Sequence, residues 1–136
     1  MNAYTICLIL GLIIHVAFIL AYKKIRIQKA YLSLFSISTF LALIGFLMRN
    51  QPSVKFVDIN ASVFLYLPIF SLIYLGFLRL LFQKIYGEEP LMTKAYSLSW
   101  EQGEYRRLHF GDLLFTLFTN LGPIFTVLLI NNLFYS

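Results

Sequence analysis

Four apolar runs, at residues 3–22, 30–48, 61–82 and 113–134, alternate with polar connections, and none of the four contains an aspartate or a glutamate. Each is near the ~20 residues that an α-helix needs to cross a hydrocarbon layer about 30 Å thick. Inside such a layer every backbone N–H and C=O must be satisfied, and a helix does this within its own segment. The pattern therefore predicts an all-α fold, an integral membrane four-helix bundle. Residues 1–136 are expected to form a single membrane domain.

The connections differ in length and charge. The first, Lys23-Lys24-Ile25-Arg26-Ile27-Gln28-Lys29, carries four positive charges and no negative one. The second, residues 49–60, is short, with a turn at Gln51-Pro52 and an imperfect alternation from Val54 to Ile59 that suits a short extended piece on the outer surface. The third, residues 83–112, is the only sizeable polar stretch. Gly87-Glu88-Glu89-Pro90 reads as a turn. Ser99-Trp100-Glu101-Gln102 has the form of a capping box, which predicts a short interfacial helix over residues 100–110. Tyr86, Tyr96, Trp100, Tyr105 and Phe110 suit headgroup depth, and Asp112 is placed to cap the fourth span.

Composition agrees with a lipid solvent. The chain is 60% hydrophobic and 12% charged, where a soluble domain carries about 25% charge. Its mean hydropathy is +0.78. Of the eleven Lys and Arg residues, Lys23, Lys24, Arg26, Lys29, Arg79, Lys84, Lys94, Arg106 and Arg107 belong to the first and third connections or their flanks. Only Arg49 and Lys55 belong to the second. The positive-inside rule then gives two cytoplasmic connections and an N-out, C-out chain. No basic leader precedes the first run, so it is expected to remain as a spanning helix rather than act as a signal peptide. These features fit a bacterial inner (plasma) membrane. The net charge of +5 reads as topology and attraction to anionic lipid, with no nucleic acid implied. Lys23, Lys24, Arg26, Lys29, Arg106 and Arg107 are the expected headgroup contacts.

Few residues offer chemistry. His15 lies mid-span, where an ionisable group is a functional candidate. It shares a helix face with Cys7 and Gly11, spaced by four, a small-residue seam that lets another backbone approach. Ser38, Ala42 and Gly45 make a similar seam on the second span. On the fourth span Thr116, Thr119, Asn120 and Pro123 form a polar stripe, Pro123, lacking an N–H, predicts a kink, and Asn131 and Asn132 near the end of the run are expected close to water. Each group has two readings: helix packing with internally satisfied polar groups, or a relay or pore lining. His109 and Asp112 are too sparse for a metal site, and a lone Cys7 excludes an intramolecular disulfide. No nucleophile motif, zinc-protease motif, P-loop or glycine-rich dinucleotide turn is present.

The expected function is non-enzymatic and works by contact, as a subunit, assembly factor or immunity-type partner of another membrane protein, or as a homo-oligomer. No cofactor or metal is implied. The alternative is an oligomeric channel or small-solute transporter lined by the fourth span, where Asn120 would face the path and His15 could gate it. A lipid-modifying enzyme using His109 and Asp112 is a distant third.

Overall fold

The computed structural model describes residues 2–25, 27–88, 90 and 110–135. These are mostly helical, and four helices are long and apolar enough to cross a membrane. Helix α1 is Ala3–Leu20, and a single turn, α2, follows at Tyr22–Ile25. Helix α3 is Gln28–Met48, and a short hairpin pairs β1 (Lys55–Phe56) with β2 (Ile59–Asn60). A 3₁₀ segment, Ala61–Tyr66, leads into α4 at Leu67–Tyr86. Helix α5 is Phe110–Ile130 and closes in a π-type turn, Asn131–Tyr135.

Local chemistry sets these boundaries. Asn2 caps α1 by accepting from the Thr5 N–H at 2.9 Å. Gly87 ends α4 in the left-handed region at φ 70°, which costs glycine little, and its N–H donates to the Gln83 carbonyl at 2.8 Å. On α3 the hydroxyls of Ser33, Ser36 and Thr39 donate to the carbonyls of Lys29, Leu32 and Phe35. Those hydroxyls are satisfied without water.

The third apolar run is not one straight α-helix over 61–82. Pro68 has no N–H to give the Phe64 carbonyl, as an α-helical turn would require. The Leu67 N–H reaches that carbonyl instead, closing a tighter 3₁₀ turn. The α-helical part then runs on to Tyr86. All six residues of the 3₁₀ segment are buried.

This segment and α4 form the centre of the molecule. Of the most apolar 18 residues in the run 61–86, 56% are buried, against 22% for α1, 11% for α3 and 22% for the α5 run. Helices α1 and α3 both pack on the 3₁₀ segment and on α4, while α5 packs chiefly on α4. Gly11 of α1 faces the Phe64 carbonyl from one side, and Gly45 of α3 faces the Ser62 carbonyl from the other. A β-carbon at Gly45 would lie 2.8 Å from the Ser62 oxygen, and the Phe64 oxygen lies nearer still to one at Gly11. The two missing side chains are the slots that admit the 3₁₀ backbone.

At the end where α1 starts and α5 finishes, the second connection folds back over the helices. Val54 is fully buried with Cys7, Ala61 and Leu65. The extended piece expected from the sequence is a paired hairpin whose turn, Val57-Asp58, puts Val57 at φ 54°, an unusual conformation for a β-branched residue. The expected helix over 100–110 falls on residues outside those described, except that Phe110 opens α5. Asp112 consequently lies inside the first turn of α5, not before it, where a carboxylate suits the helix dipole.

Candidate functional site

His15 is a buried polar side chain set between helices. It is 2% exposed and sits one turn beyond Gly11 on the α1 face that points at α4 and α5. Its Nε2 lies 2.9 Å from the Asn120 carbonyl oxygen of α5, and its Nδ1 contacts the Ser71 hydroxyl of α4. One imidazole therefore ties three helices together.

The partners fix the tautomer. A carbonyl only accepts, so Nε2–H is the donor to Asn120. In the neutral ring Nδ1 is then the acceptor, and the Ser71 O–H donates to it. The Leu67 carbonyl lies 2.8 Å from the same Ser71 oxygen and competes for that proton. Were the ring to protonate, Nδ1–H would donate to Ser71, and the Ser71 O–H would turn to Leu67. The site can satisfy the ring in either state by rotating one hydroxyl.

A serine beside an oriented histidine is also the arrangement of a nucleophile and its base. Here Ser71 is 1% exposed, and none of the described cavities opens on Ser71 or His15. The pair is a buried cross-link between helices.

The polar stripe of α5 is largely absorbed by its own helix. Thr116 donates to the Asp112 carbonyl, Thr119 to Phe115, Thr126 to Gly122, and the Asn120 amide to Thr116 at 2.6 Å. Pro123 is buried and the helix continues through it. It leaves the Thr119 carbonyl without an α-helical N–H, and His15 approaches the next carbonyl along. Thr126 also meets the Tyr74 hydroxyl of α4 at 2.8 Å. From the other side the Tyr31 hydroxyl of α3 donates to the Leu72 carbonyl at 2.6 Å. Helix α4 thus receives a polar clip from each of α1, α3 and α5.

The small-residue seams turn inward. Cys7, Gly11, Ser38 and Gly45 are buried, and Ala42 is half-buried against the cluster around Tyr66. Their neighbours belong to this chain. The Ser38 hydroxyl has no hydrogen-bond partner among the described residues, so it fills space as a small side chain. Lys24 and Lys29 are exposed, and Lys23 lies in α2. Arg26, Arg106, Arg107 and His109 lie outside the described residues.

A second polar cluster was not foreseen. Asn131, expected near water, is 3% exposed. Its Oδ1 accepts from the Asn60 N–H at 2.9 Å, and its Nδ2 donates to the Asp58 carbonyl at 2.9 Å. Asn60 in turn donates to the Arg49 carbonyl and accepts from Ser62. The end of α5 is thereby stitched to the hairpin. Ser71 was missed as well. The only signal was a lone hydroxyl in an apolar run, which any packing serine would give.

No protein-family model matches this sequence, and no curated protein or solved structure matches it either.

Proposed function

We propose that this chain is a multi-pass membrane protein, an N-out, C-out four-helix bundle of a bacterial inner membrane, that acts without catalysis by docking on another membrane protein. The subunit, assembly-factor and immunity-type roles all fall within this reading. The observation that carries it is the outer face of α3. Only 11% of that helix's most apolar stretch is buried. Exposed Ser33, Ser36 and Thr39 recur every three residues there, between Ile37, Phe40 and Leu43. Small hydroxyl residues let a second helix approach closely, and lipid gains little from them. The seams on α1 and on the inner side of α3 cannot serve this purpose, because this chain fills them itself.

The channel alternative has weaker support. Thr116, Thr119 and Asn120 spend hydrogen bonds on their own helix, and His15 is held by Ser71 and Asn120. A conducting path would need such groups turned toward water.

Purification from native membranes in mild detergent, with mass spectrometry of the co-purifying chains, tests the docking. Ser36→Trp should abolish co-purification while Ile13→Trp, on the exposed face of α1, should not. Equal recovery of the partner with both variants would refute the α3 face. Topology is tested separately: a cysteine introduced by Tyr135→Cys should label from outside, and labelling only from the cytoplasm would reverse the orientation.

A further inference from the structure

The hairpin between α3 and the 3₁₀ segment turns an apolar face outward. Its strands pair antiparallel, with Phe56 opposite Ile59 and Lys55 opposite Asn60. Residues directly opposite each other on such a pair share one face, and neighbours along a strand alternate. One face therefore holds Lys55 and Asn60, and Asn60 is buried through its bonds to Arg49 and Ser62. The other holds Phe56, 63% exposed, and Ile59, also exposed. An antiparallel sheet with water on one side sets polar residues there. Here the open face is the apolar one. Phe56 covers part of its ring against Tyr4, in the first turn of α1, at a centroid distance of 5.6 Å.

The helix ends fix the depth of this face. The Asn131 side chain, at the end of α5, holds the Asp58 carbonyl and the Asn60 N–H, both at 2.9 Å. The Asn60 amide also donates to the Arg49 carbonyl, just past the end of α3. Beyond Asn131 the surface of α5 is still apolar. Leu133 and Phe134 are exposed there, and Phe134 lies roughly 4 Å further along the axis. Leu47, in the last turn of α3, is exposed as well. Apolar surface on two helices thus reaches the level of the hairpin, and Phe56 and Ile59 continue it sideways. We propose that the face formed by Phe56 and Ile59 lies in the headgroup–acyl boundary of the phospholipid leaflet at this end, as an anchor beside the spanning helices. Apolar faces that rest in this boundary sink roughly 5–10 Å into it, and aromatic rings favour that depth. Lys55, on the opposite face, has a stem long enough to keep its ammonium in water. The inference rests on the spanning helices proposed above, whose orientation makes this the outer leaflet.

The test is tryptophan fluorescence of the full chain in dioleoylphosphatidylcholine vesicles. Trp100→Phe removes the one native indole, and Phe56→Trp or Ile59→Trp is added to that background. Both positions are exposed, so each variant should keep the helical circular dichroism of the parent. The expected result for both is emission shifted to shorter wavelength than that of an indole in water. Quenching should be strong with phosphatidylcholine brominated near the top of the acyl chain, weaker with lipid brominated near the chain end, and slight with aqueous iodide. Ile13→Trp, exposed in the middle of α1, is the reference and should be quenched most by bromine near the chain end. Iodide quenching at 56 and 59 alongside lipid quenching at 13 would overturn the hairpin anchor and leave the spanning helices standing. Protection of 56 and 59 from both lipid and iodide would also overturn it, since protein would then cover the face. Absence of lipid quenching at 13 would remove the spanning reading, and the anchor with it.

Discussion

Replacing Gly11 with alanine is the sharpest perturbation of this fold, because two effects of opposite sign compete. Alanine is the better helix former by about 1 kcal/mol. If the α1 face were open, Gly11→Ala would stabilise the protein. In the structure the added methyl would lie 2.8 Å from the Phe64 carbonyl carbon and 3.0 Å from its β-carbon, with the carbonyl oxygen closer still. An ordinary carbon–oxygen contact is ~3.3–3.6 Å. The obstacle is backbone held on its other side by α3, so no rotamer change relieves it. Helix α1 would have to retreat by on the order of 1 Å, and interiors resist such overpacking at a cost of about 1–3 kcal/mol. Because His15 is the next residue along the same face, the retreat also loosens its contacts with Ser71 and Asn120. Polar contacts between spanning helices average ~0.6 kcal/mol each. The sum is a net loss of about 1–3 kcal/mol after the gain in helix propensity. Unfolding in mixed micelles with rising SDS, followed by circular dichroism, measures it. Ile13→Ala, at a side chain 61% exposed, is the control and should change stability much less. An unchanged or higher midpoint for Gly11→Ala would refute the close approach of α1 to the 3₁₀ segment.

Three further outcomes follow from the same contacts. His15→Ala should destabilise by about 1–3 kcal/mol in the same assay, since the Asn120 carbonyl loses the imidazole donor and a cavity opens between three helices, although the Ser71 O–H can turn to the Leu67 carbonyl; Ser71→Ala should cost less, because Nε2–H still reaches Asn120. Asn131→Ala should leave the buried Asn60 N–H unpaired and speed hydrogen exchange across residues 55–60, read by mass spectrometry, while exchange in α4 stays the same. Val57→Gly should raise the unfolding midpoint by up to about 1 kcal/mol, because glycine adopts the positive φ without the steric penalty valine bears; a lowered midpoint would mean that the exposed valine makes a contact worth more than its strain.

Run length made the four long helices legible, since nothing but an apolar solvent or a buried core tolerates such stretches without charge. His15 stood out for the same reason. Its partners did not. A backbone carbonyl has no signature in a sequence, and Ser71 resembles any small residue. The seam of Cys7, Gly11 and His15 was visible as a face, yet spacing alone does not say whether the approaching backbone comes from another chain or from this one. Pro68 held the clue to the 3₁₀ segment: a proline one turn into an apolar run withdraws the N–H that the preceding α-helical turn needs. Nearness to the end of a run places Asn131 close to water in the sequence, but it does not measure distance from the core. The Asp58 carbonyl and Asn60 N–H, folded back by the hairpin, supply what water would have supplied.

The central position of α4 bears on how the chain is made. Helices α1 and α3 scarcely touch each other, so when they leave the ribosome they have almost nothing to hold them as a pair. Their glycine slots stay vacant until the segment from Ala61 to Tyr86 arrives and wedges between them. On the proposed topology, a nascent chain arrested before residue 61 would be two independent hairpin arms adrift in lipid, and assembly would begin only with the third insertion.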